Sequence, residues 1–392
     1  MTRGGASPVA RIFLLAAIIA LGSLAIHMFV PAMPAAAAAL HSDRSAVQLA
    51  LTFYLISVAV GQLVIGPLSD RLGRRPVLIG GTILFVAGSV LCWVAGSIGA
   101  LLVGRVIQAL GASSGLVAGR AMVGDEEGGR GARDMALLTA IVMLAPMLAP
   151  VIGSVIAQTL GWRAIFAILA VLGAACGLAI WLWIAETHAV DPADGSSLLA
   201  AWGRLARDPV YVRNLLIGTA LSGGLYVFLA ASPFLLVGFY AADPVRLGVY
   251  YGIVALGAGG GALTASALAA RCPARSIMTG GTAIAALAAV ALFVAAAAEQ
   301  HRIGCFVAPM VAYAFGGGLV TPNAITCALS AVRGRAGTAV SIYGALQMAG
   351  SALATLGVAL LPWHNPVAPA AVIAALALLG VALQSGNRAA QP

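Results

Sequence analysis

The chain has 392 residues; 61% are apolar, only 8% are charged, and the mean hydropathy is +1.03. An ordinary soluble domain carries about 25% charged residues, so a water-soluble globule is excluded, because the chain holds too little polar sequence to cover its surface. The net charge of +9 comes from arginine alone, as there is no lysine.

A membrane-spanning helix needs about 20 apolar residues. Runs of that kind fall at 12–33, 46–68, 76–97, 99–123, 135–159, 164–185, 211–238, 247–269, 276–298, 303–329, 337–361 and 366–384. All twelve acidic residues lie in a connection or close to a span end, as expected where a charge in hydrocarbon is costly. With the N-terminus in the cytoplasm, fifteen of the 21 arginines fall inside and four outside, while Arg105 and Arg120 map within a span. This bias places both termini in the cytoplasm. The positive charge is therefore a topology signal, and no nucleic-acid partner is expected.

In chain order, the first run is longer than the apolar core of a typical signal peptide, so it is kept as a span. It holds His27, the one histidine within a span. The second span carries Tyr54 and leads into the turn Gly66-Pro67-Leu68-Ser69-Asp70-Arg71-Leu72-Gly73-Arg74-Arg75-Pro76. Gly66 is expected to let helices approach closely and Gly73 to permit a tight turn. Asp70 is expected to pair with an arginine or to cap a helix N-terminus. The plainer alternative is a solvated, positively charged loop.

The fourth span contains Leu101, Arg105, Gln108 and Gly111. An arginine well inside a span is expensive and therefore functional by default, unless it snorkels to the interface. Arg120 is expected to act near the inner end of this span, against Asp125 or Asp70. The fifth span sets Ala145, Ala149, Pro150, Gly153 and Ser154 along one helix. Small residues allow close packing, and Pro146 and Pro150 bend the helix.

The longest internal polar stretch runs from Glu186 to about Arg213 and divides six spans from six. This predicts an N-terminal six-helix bundle (1–188), a central cytoplasmic loop (189–210) and a C-terminal six-helix bundle (211–392). Residues 268–275 echo residues 68–75, with arginine at matching positions (71 and 271, 75 and 275) and Ala270 where the first copy has Asp70. Such duplication is common in transporters, with substrate near the midplane. Tyr226, Tyr313 and Gln347 are the polar liners expected from the second half. The five cysteines show neither metal-ligand nor disulfide spacing, and no cofactor is expected.

The 66–76 turn resembles the loop between the second and third spans of the major facilitator superfamily. The Arg105 segment resembles the fourth-span motif of its proton-coupled members, and the 145–154 segment resembles the antiporter motif with alanine and serine in place of three glycines. Together with Val30-Pro31-Ala32-Met33-Pro34, Gly119-Arg120-Ala121 and Gly161-Trp162-Arg163-Ala164-Ile165-Phe166, these residues are similar to the Bcr/CflA branch of drug-resistance exporters. The resemblance runs through most of the N-terminal half and reaches the C-terminal half only as span number. It implies an all-α membrane protein of twelve helices in two pseudo-symmetric six-helix bundles. It also implies a bacterial inner-membrane location and a proton-driven exporter of small toxic molecules. Gly66, Asp70, Arg71, Gly73, Arg74, Arg75, Arg120 and Asp125 would form a conformational gate. His27, Tyr54, Arg105, Gln108, Tyr226, Tyr313 and Gln347 would serve substrate or proton.

The chain departs from that branch at Ile26-His27-Met28-Phe29, where an aspartate is usual. His27, with an unperturbed pKa of about 6.5, either carries the coupling proton or only hydrogen-bonds. The expected partners are the bilayer, a small-molecule substrate and protons, with the protein acting as a monomer. The alternative function is a dedicated transporter of one metabolite, an importer or a carrier not driven by protons. An enzyme is not expected, since no HExxH, GxSxG or carboxylate cluster is present.

Overall fold

The computed structural model describes residues 8–124, 131–187, 198–330, 336–361 and 365–385. Among them are fifteen α-helices and no strand. In chain order these are α1 (Pro8–His27), α2 (Met33–Ala39), α3 (Arg44–Leu72), α4 (Arg74–Trp93), α5 (Ile98–Ser114), α6 (Arg120–Gly124), α7 (Gly131–Thr159), α8 (Trp162–Trp183) and α9 (Leu198–Leu205). Then follow α10 (Pro209–Gly238), α11 (Leu247–Leu268), α12 (Ala274–Ala297), α13 (Ile303–Ser330), α14 (Ala336–Leu360) and α15 (Val367–Ser385). They form twelve stretches long and apolar enough to cross a membrane, which matches the span map read from the sequence. With no water in the bilayer core, helices satisfy their own backbone groups. Their outward faces carry large apolar side chains such as Val171, Leu263 and Leu287, which in a membrane face lipid.

Two spans are not single α-helices. The first runs from Val9 to Ala39 and breaks after His27, where a 3-10 turn at Val30–Ala32 joins α1 to α2. Pro31 and Pro34 each lack the N–H that a continuous helix would use. The alanine run 35–39 is thus helical, and the span ends later than residue 33. The fourth span carries a π-helical turn at Gly115–Gly119, between α5 and α6; such turns recur at functional sites.

Two further expectations are corrected. Residues 66–72 are not a loop, because α3 continues through Pro67 to Leu72 and the turn into α4 is Gly73 alone. Gly66 permits no close approach, since nothing lies within 4 Å of where its Cβ would stand. The central polar stretch contains α9, whose Leu205 is buried while Arg204 and Arg207 are exposed.

The chain divides into two compact units. Unit 1 comprises Met1–Ser42 and Phe53–Gly195; unit 2 comprises Asp43–Thr52 and Ser196–Pro392. In unit 1, α4 and α5 cross where glycines replace side chains. A Cβ on Gly88 would strike the Gln108 backbone, and one on Gly111 would strike that of Phe85. In unit 2, α10 and α14 are linked by a polar ladder. Tyr343 Oη donates to the Asn214 carbonyl (3.4 Å), Gln347 Nε2 to the Gly218 carbonyl (3.3 Å), and Ser351 Oγ to Ser222 Oγ (3.2 Å). Each step advances four residues on both helices, so one helical face is read against the other. The opening of α3 belongs to the same unit: Gln48 Nε2 donates to the Ala230 carbonyl at 2.9 Å, and the Thr52 and Thr355 hydroxyls bond at 2.9 Å.

Candidate functional site

Two sequence-predicted residues of unit 1, Arg105 and Tyr54, converge on α1, and a third, Gln108, braces Arg105. Arg105, on α5, is completely buried. Its Nη1 donates to the Ala25 carbonyl (2.9 Å) and to Gln108 Oε1 (2.7 Å). Gln108 sits one turn on and is positioned in turn, its Nε2 donating to Ser89 Oγ at 2.8 Å and Ser89 to the Phe85 carbonyl at 2.7 Å. Tyr54, on α3, donates its hydroxyl to the Gly22 carbonyl at 3.0 Å. Its ring lies 4.1 Å from the Arg105 guanidinium carbon.

Two more rings complete the enclosure: Phe29 at 5.4 Å and Phe166 at 5.9 Å from that carbon. They stand 5.2 Å apart, and Trp162 meets Phe166 edge-on at 6.1 Å. A guanidinium over ring faces gains from the ring quadrupoles, most when desolvated. Arg105 is therefore not a snorkelling interface residue. Its Nε and Nη2 are buried without hydrogen-bond partners. Arginine stays charged in proteins, so the site is a fixed positive charge caged by aromatics. Of the three rings only Tyr54 was singled out in the sequence; Phe29 and Phe166 stood there only within longer motifs.

His27 occupies the last position of α1, just before the break in the first span. It is half-buried, and its Nδ1 lies 2.8 Å from the Ser23 carbonyl and 3.2 Å from Ser23 Oγ. The carbonyl can only accept, so Nδ1 carries the hydrogen and Nε2 keeps its lone pair. Beside it, α7 packs through its small residues: Ala145, Ala149, Pro150 and Gly153 are buried, and a Cβ on Gly153 would collide with the Met28 carbonyl. The antiporter-like segment is thus a seam against the break at the end of α1.

A cavity in unit 1 bordered by Ile18, Thr82, Phe85, Gly111 and Ser114 measures about 10 Å³. That is room for about one water, far below the several hundred Å³ of a drug-sized site.

In unit 2, Tyr313 is buried and donates to the Leu221 carbonyl at 2.9 Å, Gln347 is part of the α10–α14 ladder, and Tyr226 is half-buried. The first two therefore have their donors committed to the backbone of α10.

The Gly66–Arg75 segment is organised by a residue the sequence reading passed over. Gly73 has φ +90°, a conformation that favours glycine. It turns the chain so that the first amides of α4 point at Glu186, just beyond α8. Glu186 Oε1 accepts from the Arg74 amide and Oε2 from the Arg75 amide, both at 3.0 Å. A carboxylate there satisfies orphan donors and the positive end of the helix dipole. Arg75 Nη2 returns to the Trp181 carbonyl at 2.7 Å. The expected capping carboxylate, Asp70, is exposed and caps none of the described helices, and Arg71 and Arg120 are also exposed. Asp125 lies outside the described residues. The available signal for Glu186 was its place as the first carboxylate after the sixth span.

Among the described residues no group of three His, Cys, Asp or Glu is placed to hold a metal, and all five cysteines are free thiols.

The major facilitator superfamily profile matches residues 13–355. The chain is 31% identical over 389 residues to a chloramphenicol resistance protein of Pseudomonas aeruginosa, covering 97% of this chain and 91% of that protein. It is 27% identical over 352 residues to multidrug resistance protein D of Escherichia coli (strain K12), covering 90% and 89%. Among solved structures it is similar to a D-xylose–proton symporter, with a TM-score of 0.76 at 15% identity over 97% of each chain. It is also similar to a bacterial homologue of the human lysosomal transporter Spinster, in an inward-facing, unoccupied conformation, with a TM-score of 0.72 at 16% identity over 97% and 95%. At such identities the structural likeness concerns the fold.

Proposed function

The chain belongs to the Major Facilitator Superfamily, and from that premise we propose that it exports small toxic organic molecules from a bacterial cytoplasm by alternating access, in exchange for protons. The observation that carries this reading is the similarity, along nearly the whole chain, to a chloramphenicol resistance protein. The multidrug resistance relatives support the same substrate range.

The protein acts as a monomer in the inner membrane with both termini cytoplasmic, the orientation favoured by its arginines. Substrate binds near the midplane of the membrane. Arg105 supplies a fixed charge and Gln108 holds it in place. His27 takes the coupling proton on Nε2, the ring nitrogen not engaged with Ser23. The Gly73 turn, clamped by Glu186, forms the rigid side of a gate whose moving contact is made by Asp70. In the conformation described here Asp70 is exposed, and the proposal is that it finds its partner in the other state.

A second reading stands on one observation. No carboxylate lies deep in any span, and His27 occupies the position where the branch usually has aspartate. A carrier of one metabolite that is not driven by protons needs neither group.

The test is a resistance screen of expressing cells against many toxic compounds, followed by uptake measurements. Protection with lowered accumulation supports export. Raised accumulation of any compound indicates import.

A further inference from the structure

Resting on the export reading, we infer that this transporter selects its substrates by charge: neutral and anionic molecules are carried, and lipophilic cations are rejected.

Three observations carry the inference. The first is Arg105 itself. It is completely buried, and its hydrogen-bond partners, the Ala25 carbonyl and Gln108 Oε1, are both uncharged. An unneutralised charge in a low-dielectric interior acts over a long range, so a ligand need not touch Arg105 to feel it.

The second is where the carboxylates are. Asp208 caps α10 and Asp243 caps the turn that opens α11. Asp134 sits in the first turn of α7. Glu186 holds the α4 amides. Asp43 and Glu299 lie just outside helix ends and Asp70 in the last turn of α3, and the remaining five occupy connections in the sequence. No carboxylate lies deep within a span to receive an organic cation, and His27, once protonated, adds a positive charge.

The third is the fate of the aromatic faces. Organic cations are held over rings, but Phe29, Tyr54 and Phe166 already surround a resident guanidinium. The place suited to a cation contains one permanently.

The experiment uses three fluorescent probes that share a dansyl group: dansylamide (neutral), dansylglycine (anionic) and dansylcadaverine (cationic). Each is titrated into the purified, full-length transporter in lipid nanodiscs. Wild type should bind the cationic probe at least about tenfold more weakly than the other two. Gln108→Glu places a carboxylate against Arg105 without removing it, and this gap should close. Arg105→Gln should close it as well. Equal or tighter binding of the cationic probe by wild type would overturn the inference. So would a preference unchanged in both variants, or no saturable binding of any probe. None of these results decides whether the protein exports neutral compounds, which the resistance screen reads separately.

Discussion

Glu186 accepts the amides of Arg74 and Arg75, one on each carboxylate oxygen, and so ties the end of the sixth span to the start of the third. All three residues belong to unit 1, so the clamp makes the Gly73 turn a fixed part of that unit. Replacing Glu186 with Ala should cost on the order of 1 kcal/mol, as for other lost helix caps. The check is hydrogen exchange at the first amides of α4. Faster exchange there, with little change in thermal midpoint, is the expected result; unchanged exchange would show that the cap contributes nothing.

Asp70→Asn should nearly abolish transport while the protein stays in the membrane at its normal level and stability. The reason is that Asp70 is exposed in this conformation, so any energetic role belongs to the other one. Transport at the wild-type rate, at equal expression, would remove Asp70 from the gate.

Gly153→Ala and Gly66→Ala should differ sharply. A methyl group on Gly153 would enter the Met28 backbone, whereas one on Gly66 would meet nothing within 4 Å. Overpacking of this kind costs roughly 1–3 kcal/mol. The measurement is the fraction of protein recovered monodisperse after heating in detergent, expected to fall for Gly153→Ala and to hold for Gly66→Ala. Equal recovery would mean that α7 shifts away from α1 at little cost.

Arg105→Ala should impair transport far more than Arg44→Ala, which removes an arginine from the start of α3. Arg105→Lys should restore only part of the activity, because an ammonium lacks the planar stack on Tyr54. Mild and equal effects from both alanine changes would show that the caged charge is dispensable.

These expectations also separate what can be read from sequence from what cannot. The twelve spans were legible because bilayer thickness demands long apolar runs. Arg105 was legible because a charge at that depth is too costly to be incidental, and Gly73 because a one-residue turn needs its backbone freedom. Glu186 was not, since its role depends on the sixth span ending beside the third, a tertiary adjacency with no local signal. Residues 66–72 read as a loop because they open a charged, glycine-bearing stretch between two apolar runs, yet α3 continues through it, proline included. Phe29 and Phe166 carried no role in the sequence because an apolar helix is full of such residues, and only the fold brings them around one guanidinium.

The central claim is proton-coupled export, and transport in reconstituted vesicles with an imposed pH gradient tests it most directly. The compound is one against which expression protects cells. The account predicts that wild type concentrates it against its gradient only while the pH gradient lasts. It further predicts that His27→Gln still allows downhill exchange but loses uphill accumulation. Uphill accumulation by wild type without a pH gradient, or undiminished uphill accumulation by His27→Gln, would contradict it.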